Sequence, residues 1–159
     1  MSGDSRGAAR HKARAAALQM LYQWEVGRVA PQEAVRTYWP GRDAPPSPDD
    51  EYADAEPQAA VDENNRTWAN ALVAATIERL RETDELIAAH STNWRIERMA
   101  VIDRLIMRMA IGELLLEPAT PAKVVINEAL ELARTFSGEE PVPLINGVLD
   151  AVRKTLGRE

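Results

Sequence analysis

Along almost its whole length this chain repeats apolar residues three and four positions apart, and nowhere does it alternate them. A period of 3.6 builds amphipathic helices, whereas a half-buried strand needs a period of two. The sequence therefore predicts an all-α fold. Ala17, Leu21 and Trp24 share one face, widened by Leu18 and Tyr22, which predicts a first helix from about Ala8 to Val26 stopped at Gly27. A short second helix opens at Pro31, a residue favoured in a first turn, and runs to Trp39. A third covers about Asp62 to His90, with room for one break, on the stripe Val73, Ile77, Leu80 and Ile87. A fourth covers about Ile96 to Glu117 through Ile102, Leu105, Ile106, Met109 and Leu116. Thr120 and Pro121 cap and open a fifth, whose core stripe ends at Phe136 before Ser137-Gly138. Pro141 and Pro143 introduce a last helix carrying Ile145, Val148, Leu149, Val152 and Leu156. Such helices on short connections imply a compact bundle of about six or seven helices in two small lobes, a single domain over residues 1–159.

An apolar share of 45% supports a real core, and no stretch approaches the ~20 apolar residues needed to cross a bilayer. Cysteine is absent, which removes disulfides and cysteine-ligated zinc and fits a reducing compartment. No apolar segment follows the basic start as in a secretory signal, so the expected location is cytoplasmic. The net charge of −6 conceals an asymmetry. Residues 43–63 hold eight carboxylates and no basic residue, so the remainder of the chain sums to +2. With its prolines, the stretch from about 40 to 62 reads as an acidic, solvated loop insertion. The lesser reading of this loop is that it shields a basic patch in the absence of RNA. At the other extreme Arg6, Arg10, His11, Lys12 and Arg14 crowd the start with no acid after Asp4, and residues 1–8 read as a mobile basic tail.

Catalytic chemistry finds little purchase. The two histidines, His11 and His90, have no nucleophile or metal-ligand spacing around them, and no phosphate-binding glycine loop or H-E-x-x-H pattern occurs. No catalytic residue, metal ligand or cofactor is predicted. Acid pairs such as Glu128 and Glu131 read as solvated helix surface. Met99, Met107 and Met109 read as core filling rather than an adaptable surface. Trp24 and Trp68 lie on apolar stripes, while Trp39 and Trp94 are harder to place. In the basic run Arg10 and Arg14, four apart, share a face, and arginine forks bind phosphates and stack on unpaired bases. From charge alone that run reads as well as a solubilising tail, and composition does not choose.

Three separated segments carry a resemblance. Residues 9–14 (Ala-Arg-His-Lys-Ala-Arg), continuing through Ala17-Leu18-Gln19-Met20-Leu21-Tyr22-Gln23-Trp24-Glu25, resemble the opening helix of the NusB family of bacterial transcription antitermination factors. Ile102 to Leu114 is similar to that family's central helix. The longest match runs from Pro121 to Phe136 and resumes at Ile145-Asn146-Gly147-Val148-Leu149-Asp150. In order and spacing these are highly specific, and with looser matches they cover nearly the whole chain outside the acidic loop.

The resemblance implies a non-enzymatic factor that pairs with NusE, a small-subunit ribosomal protein. Together they bind boxA, a single-stranded element near the start of ribosomal RNA transcripts, and so act indirectly on the RNA polymerase elongation complex. Arg10, His11, Lys12 and Arg14 match the family's RNA-contacting start, with Arg6 beside them. Tyr22 and Asp103 match positions facing NusE. Glu140 matches an acidic position at the RNA surface, and Leu144 a position where relatives carry an aromatic. Leucine cannot stack as a ring does, and Pro143 replaces a basic residue, so this loop departs from the family's pattern. Asn127, Glu113 and Gly147 are assigned to the fold, Gly147 through close approach of another helix. The alternatives are a ribosome-assembly or homodimeric scaffold protein with RNA secondary, or a NusB-like accessory domain from an RNA methyltransferase.

Overall fold

A helix buried on every side organises the molecule. In the computed structural model, which describes residues 2–43, 61–91 and 95–159 (side chains from Gly7 to Gly41 in the first stretch), this helix is α5, Val101–Leu116. From Asp103 to Leu114 every residue but Arg104 is buried. An apolar run without a solvent face has to lie at a centre, and α5 packs against α1 (Ser2–Glu25), α3 (Glu63–Glu78), α4 (Leu80–His90), α6 (Ala122–Phe136) and α7 (Val142–Thr155). The remaining helix, α2 (Pro31–Asp43), lies against α1 and α3. Among the described residues there are thus seven α-helices, a 3-10 turn at Ile96–Arg98, and no strand. The sets α1–α3 and α4, α6, α7 meet across α5, and one apolar core runs through both. Leu105, Ile106 and Ile111 are fully buried in it, each such side chain contributing about 1.5–3 kcal/mol. Met99, Met107 and Met109 are core, as expected. No described helix is long and apolar enough to cross a membrane.

Several boundaries differ from expectation. Residues 2–8, expected as a tail, belong to α1, which begins at Ser2. α2 passes through Pro40 to Asp43 instead of ending at Trp39. Trp39 outweighs the bond that Pro40 cannot donate: it is buried, its indole N–H donates to Asn70 Oδ1 at 3.0 Å, and the Arg66 guanidinium lies 4.8 Å from its ring centre. The expected third helix breaks at Arg79 into α3 and α4, and the fourth begins as the 3-10 turn. α3 is capped by Asp62, which accepts from the backbone N–H and the carboxamide of Asn65, both at 2.9 Å. These bonds, the backbone one first, hold the Asp62 carboxyl below its ordinary range, with a smaller contribution from the charge of Arg10. α6 starts one residue later than expected, capped by Pro121 without a side-chain bond. The acidic residues at 44–60 and Trp94 lie outside the described residues.

Two contacts fix α5. At its end Arg158 donates to the carbonyls of Leu114, Glu117 and Thr120, satisfying acceptors that a helix terminus leaves open. In its middle Gly112 lets α3 close in: a Cβ there would sit 2.8 Å from Thr76 Oγ1 and 3.3 Å from Thr76 Cα. Gly112→Ala should therefore lower stability by about 1–3 kcal/mol in urea unfolding, despite alanine's better helix propensity. Adding Thr76→Ala should restore part of the loss; simple additivity of the two would refute the close-approach explanation.

Candidate nucleic-acid interface

α1 carries the basic run, and its register sorts those residues between core and solvent. Arg10 and Arg14 do share a face, but it is the inward one. Arg14 is 5% exposed and its Nε and Nη2 each donate at 2.7 Å to the two carboxylate oxygens of Glu113, itself 2% exposed on α5. Arg14 thus departs from its expected place among RNA contacts, since its fork is committed to a buried carboxylate. Arg10 is half-buried with its guanidinium 4.3 Å from the centre of the Trp68 ring on α3, which Arg14 also approaches at 5.2 Å. Trp68 in turn donates its indole N–H to Glu117 at 3.1 Å.

The outward residues are His11 and Lys12. His11 Nδ1 lies 2.5 Å from Glu128 Oε2 on α6, so the acid expected on solvated surface instead bridges α1 and α6. The same Glu128 oxygen is 3.8 Å from Arg14. Lys12 is exposed and forms no ion pair among the described residues. Arg6 lies on α1, but its side chain is outside the described residues. The start of α1 therefore presents Lys12 and the edge of His11 to a polyanion, on a helix held rigid by its arginines.

At the other end of α1 lies a groove of about 580 Å³, lined by Gln19, Tyr22, Tyr38, Val101, Ile102 and Phe136 among others. Tyr22 and Phe136 are 42% and 39% exposed. Phe136, expected at the end of the α6 core stripe, is a groove wall, because α6 reaches the rim of the bundle there. Asp103, beside Ile102, is buried with an Oδ1 that has no hydrogen-bond partner among the described residues. Glu25 and Arg104, 3.3 Å apart, tie the end of α1 to the start of α5. This tie brings the regions of Tyr22 and Asp103 together. Glu140 is exposed at the α6–α7 connection and Leu144 is half-buried against the core in the first turn of α7, and among the described residues no bond links either to the basic run. Two residues assigned to the fold are placed otherwise: Asn127 and Gly147 are both exposed, and nothing lies within 4 Å of a Cβ built at Gly147.

The profile of the NusB family matches residues 11–154, from His11 on α1 to the last turn of α7. The chain belongs to the NusB family. Among its relatives is the transcription antitermination protein NusB of Solibacter usitatus, 40% identical over 149 residues, which cover 94% of this chain and 91% of that protein. The NusB of Koribacter versatilis is also 40% identical, over 94% and 92% of the two chains. The solved NusB of T. maritima superposes with a TM-score of 0.72 at 28% identity, covering 91% and 90%. A NusB chain solved with NusE and double-stranded RNA gives 0.75 at 21% identity, over 93% and 98%, a likeness of fold.

In the sequence the buried pair has a visible signal: Glu113 is the lone acid in the run from Leu105 to Leu116. Removing one partner of such a pair leaves a charge without compensation. Arg14→Ala should cost about 3–5 kcal/mol in urea unfolding, and Arg14→Met with Glu113→Leu far less. Equal losses in the two would show that shape, and not charge, decides the site.

Proposed function

We propose that this chain is a non-catalytic antitermination factor that, with NusE, binds single-stranded boxA-type RNA of ribosomal RNA transcripts and so alters RNA polymerase elongation in the cytoplasm. The observation that carries this is the two-ended character of α1. Its start offers the unpaired ammonium of Lys12 beside the outer edge of His11, and its end offers the exposed aromatic wall of Tyr22 beside Phe136. One rigid helix holds both, so a polyanion and a protein partner bind at once without competing. The relatives' name, transcription antitermination protein, supports the antitermination role, and the NusB neighbour captured with NusE and double-stranded RNA supports binding of NusE and RNA.

The chemistry needed is assembly. Lys12 and the amino-terminal charges release counterions from phosphates. The groove takes an apolar side chain of NusE against Tyr22 and Phe136. If NusE strengthens RNA binding by some factor, RNA strengthens NusE binding by the same factor. Arg14 acts by holding α1 in place, outside the contact set.

A fluorescein-labelled single-stranded boxA-type RNA, titrated across a salt series with and without NusE, tests this. Lys12→Ala should reduce the logarithmic salt slope by about one. Tyr22→Ala with Phe136→Ala should weaken NusE binding by about 1–3 kcal/mol and leave RNA binding by the chain alone unchanged. An unaltered slope, or NusE binding indifferent to the groove, overturns the assignment of the corresponding end.

A further inference from the structure

Between α6 and α7 runs a second, polar groove of about 390 Å³, with Lys123 and Asn127 on one bank, Asn146, Asp150 and Arg153 on the other, and the buried Ile126 beneath. Two of its charges are spent on each other, Asp150 pairing with Arg153 at 2.8 Å (and with Lys154 at 3.2 Å), while Lys123 and Glu159, which also lines the groove, form no ion pair among the described residues. Its carboxamides are free as well. Asn127 and Asn146 are exposed and have no hydrogen-bond partner among the described residues, and neither does Lys123. Next to Asn146 stands Gly147, exposed in mid-helix over open space. A glycine inside a helix is unfavourable relative to alanine, and among the described residues nothing packs against it to account for it. Free carboxamides on facing banks, one unpaired ammonium and a bare helix surface suit a flat ligand rich in donors and acceptors that approaches the backbone closely. A nucleobase edge is such a ligand, since an asparagine carboxamide bonds a base in bidentate fashion and lysine takes the phosphate.

The two RNA-relevant surfaces are continuous. Glu128 reaches His11 on the α1 side of α6, and its neighbour Asn127 opens on the α7 side. Only the width of one helix, about 10–12 Å, separates them. We propose that the single strand held at the start of α1 crosses α6 and seats an unpaired base in the α6–α7 groove, hydrogen-bonded by Asn127 and Asn146, with Gly147 admitting its sugar. This inference rests on the RNA-binding reading above and adds base selectivity to it.

The test uses the same labelled RNA with NusE present. Asn127→Ala with Asn146→Ala should weaken binding about tenfold or more with no change of salt slope, because carboxamides neutralise no phosphate. One abasic substitution in the RNA should reproduce the loss and not add to it. Gly147→Gln should also weaken binding while raising the melting temperature, which excludes unfolding as the cause. If wild type binds with a Lys12-dependent slope and these variants bind equally well, the groove is not an RNA site and only this inference falls. If the variants lose NusE binding but keep RNA affinity in its absence, the groove belongs to a protein partner and the inference is overturned. If wild type binds no RNA in any condition, the functional reading falls and this inference with it.

Discussion

The buried bond between Arg14 and Glu113 is the constraint on which the rest of the molecule depends. A guanidinium and a carboxylate taken out of water are costly unless each satisfies the other in good geometry, and here the two parallel contacts at 2.7 Å do so. That requirement fixes the rotation of α1 about its axis as well as its distance from α5. With the register set, Arg10 falls onto the Trp68 ring, Ala13 and Ala17 turn inward, and His11 meets Glu128 on α6. A helix held only by apolar contacts could roll by a fraction of a turn. This one cannot without stranding a charge.

The same constraint divides labour along α1. Half of what reads as a polyanion-binding run is structural, and the residues left to solvent are few and well oriented. The charge of Arg14 is cancelled by Glu113, whereas Arg10, set on a ring and not on a carboxylate, still contributes to the field at the surface. Toward the other end, the Glu25–Arg104 pair repeats the device in weaker form and holds Tyr22 beside the aromatic rim of α6. Contacts for two different ligands are thereby given one rigid spacing.

Much of the fold was legible because a 3.6-residue period reports which face of a helix is buried, and Pro and Gly report where it stops. The α6 terminus at Gly138, whose φ of +124° suits glycine, is of this kind, whereas no proline or glycine marks the break at Arg79. Period does not report the partner of a buried face. Arg10 and Arg14 were correctly placed on one side, yet whether that side met solvent or Trp68 and Glu113 depended on residues far along the chain. Phe136 and Gly147, both expected in packed contacts, are both exposed for one reason: a position on the rim of a bundle carries the same residue types as a position in its core. Pro40 failed because the burial of Trp39, a tertiary effect, outweighed a local rule.

The Arg14–Glu113 bond also has a consequence in time. Its partners stand 99 positions apart, so at elongation rates of about 5–20 residues per second the first helix emerges roughly 5–20 s before the acid that completes its packing. During that interval Arg14 keeps its hydration and α1 cannot dock, because burial would leave the cation alone. Closure of the amino-terminal half is thus deferred until α5 has been synthesised. Pairings of such long separation slow folding, and in return this one discourages a premature compact state built from the first three helices alone.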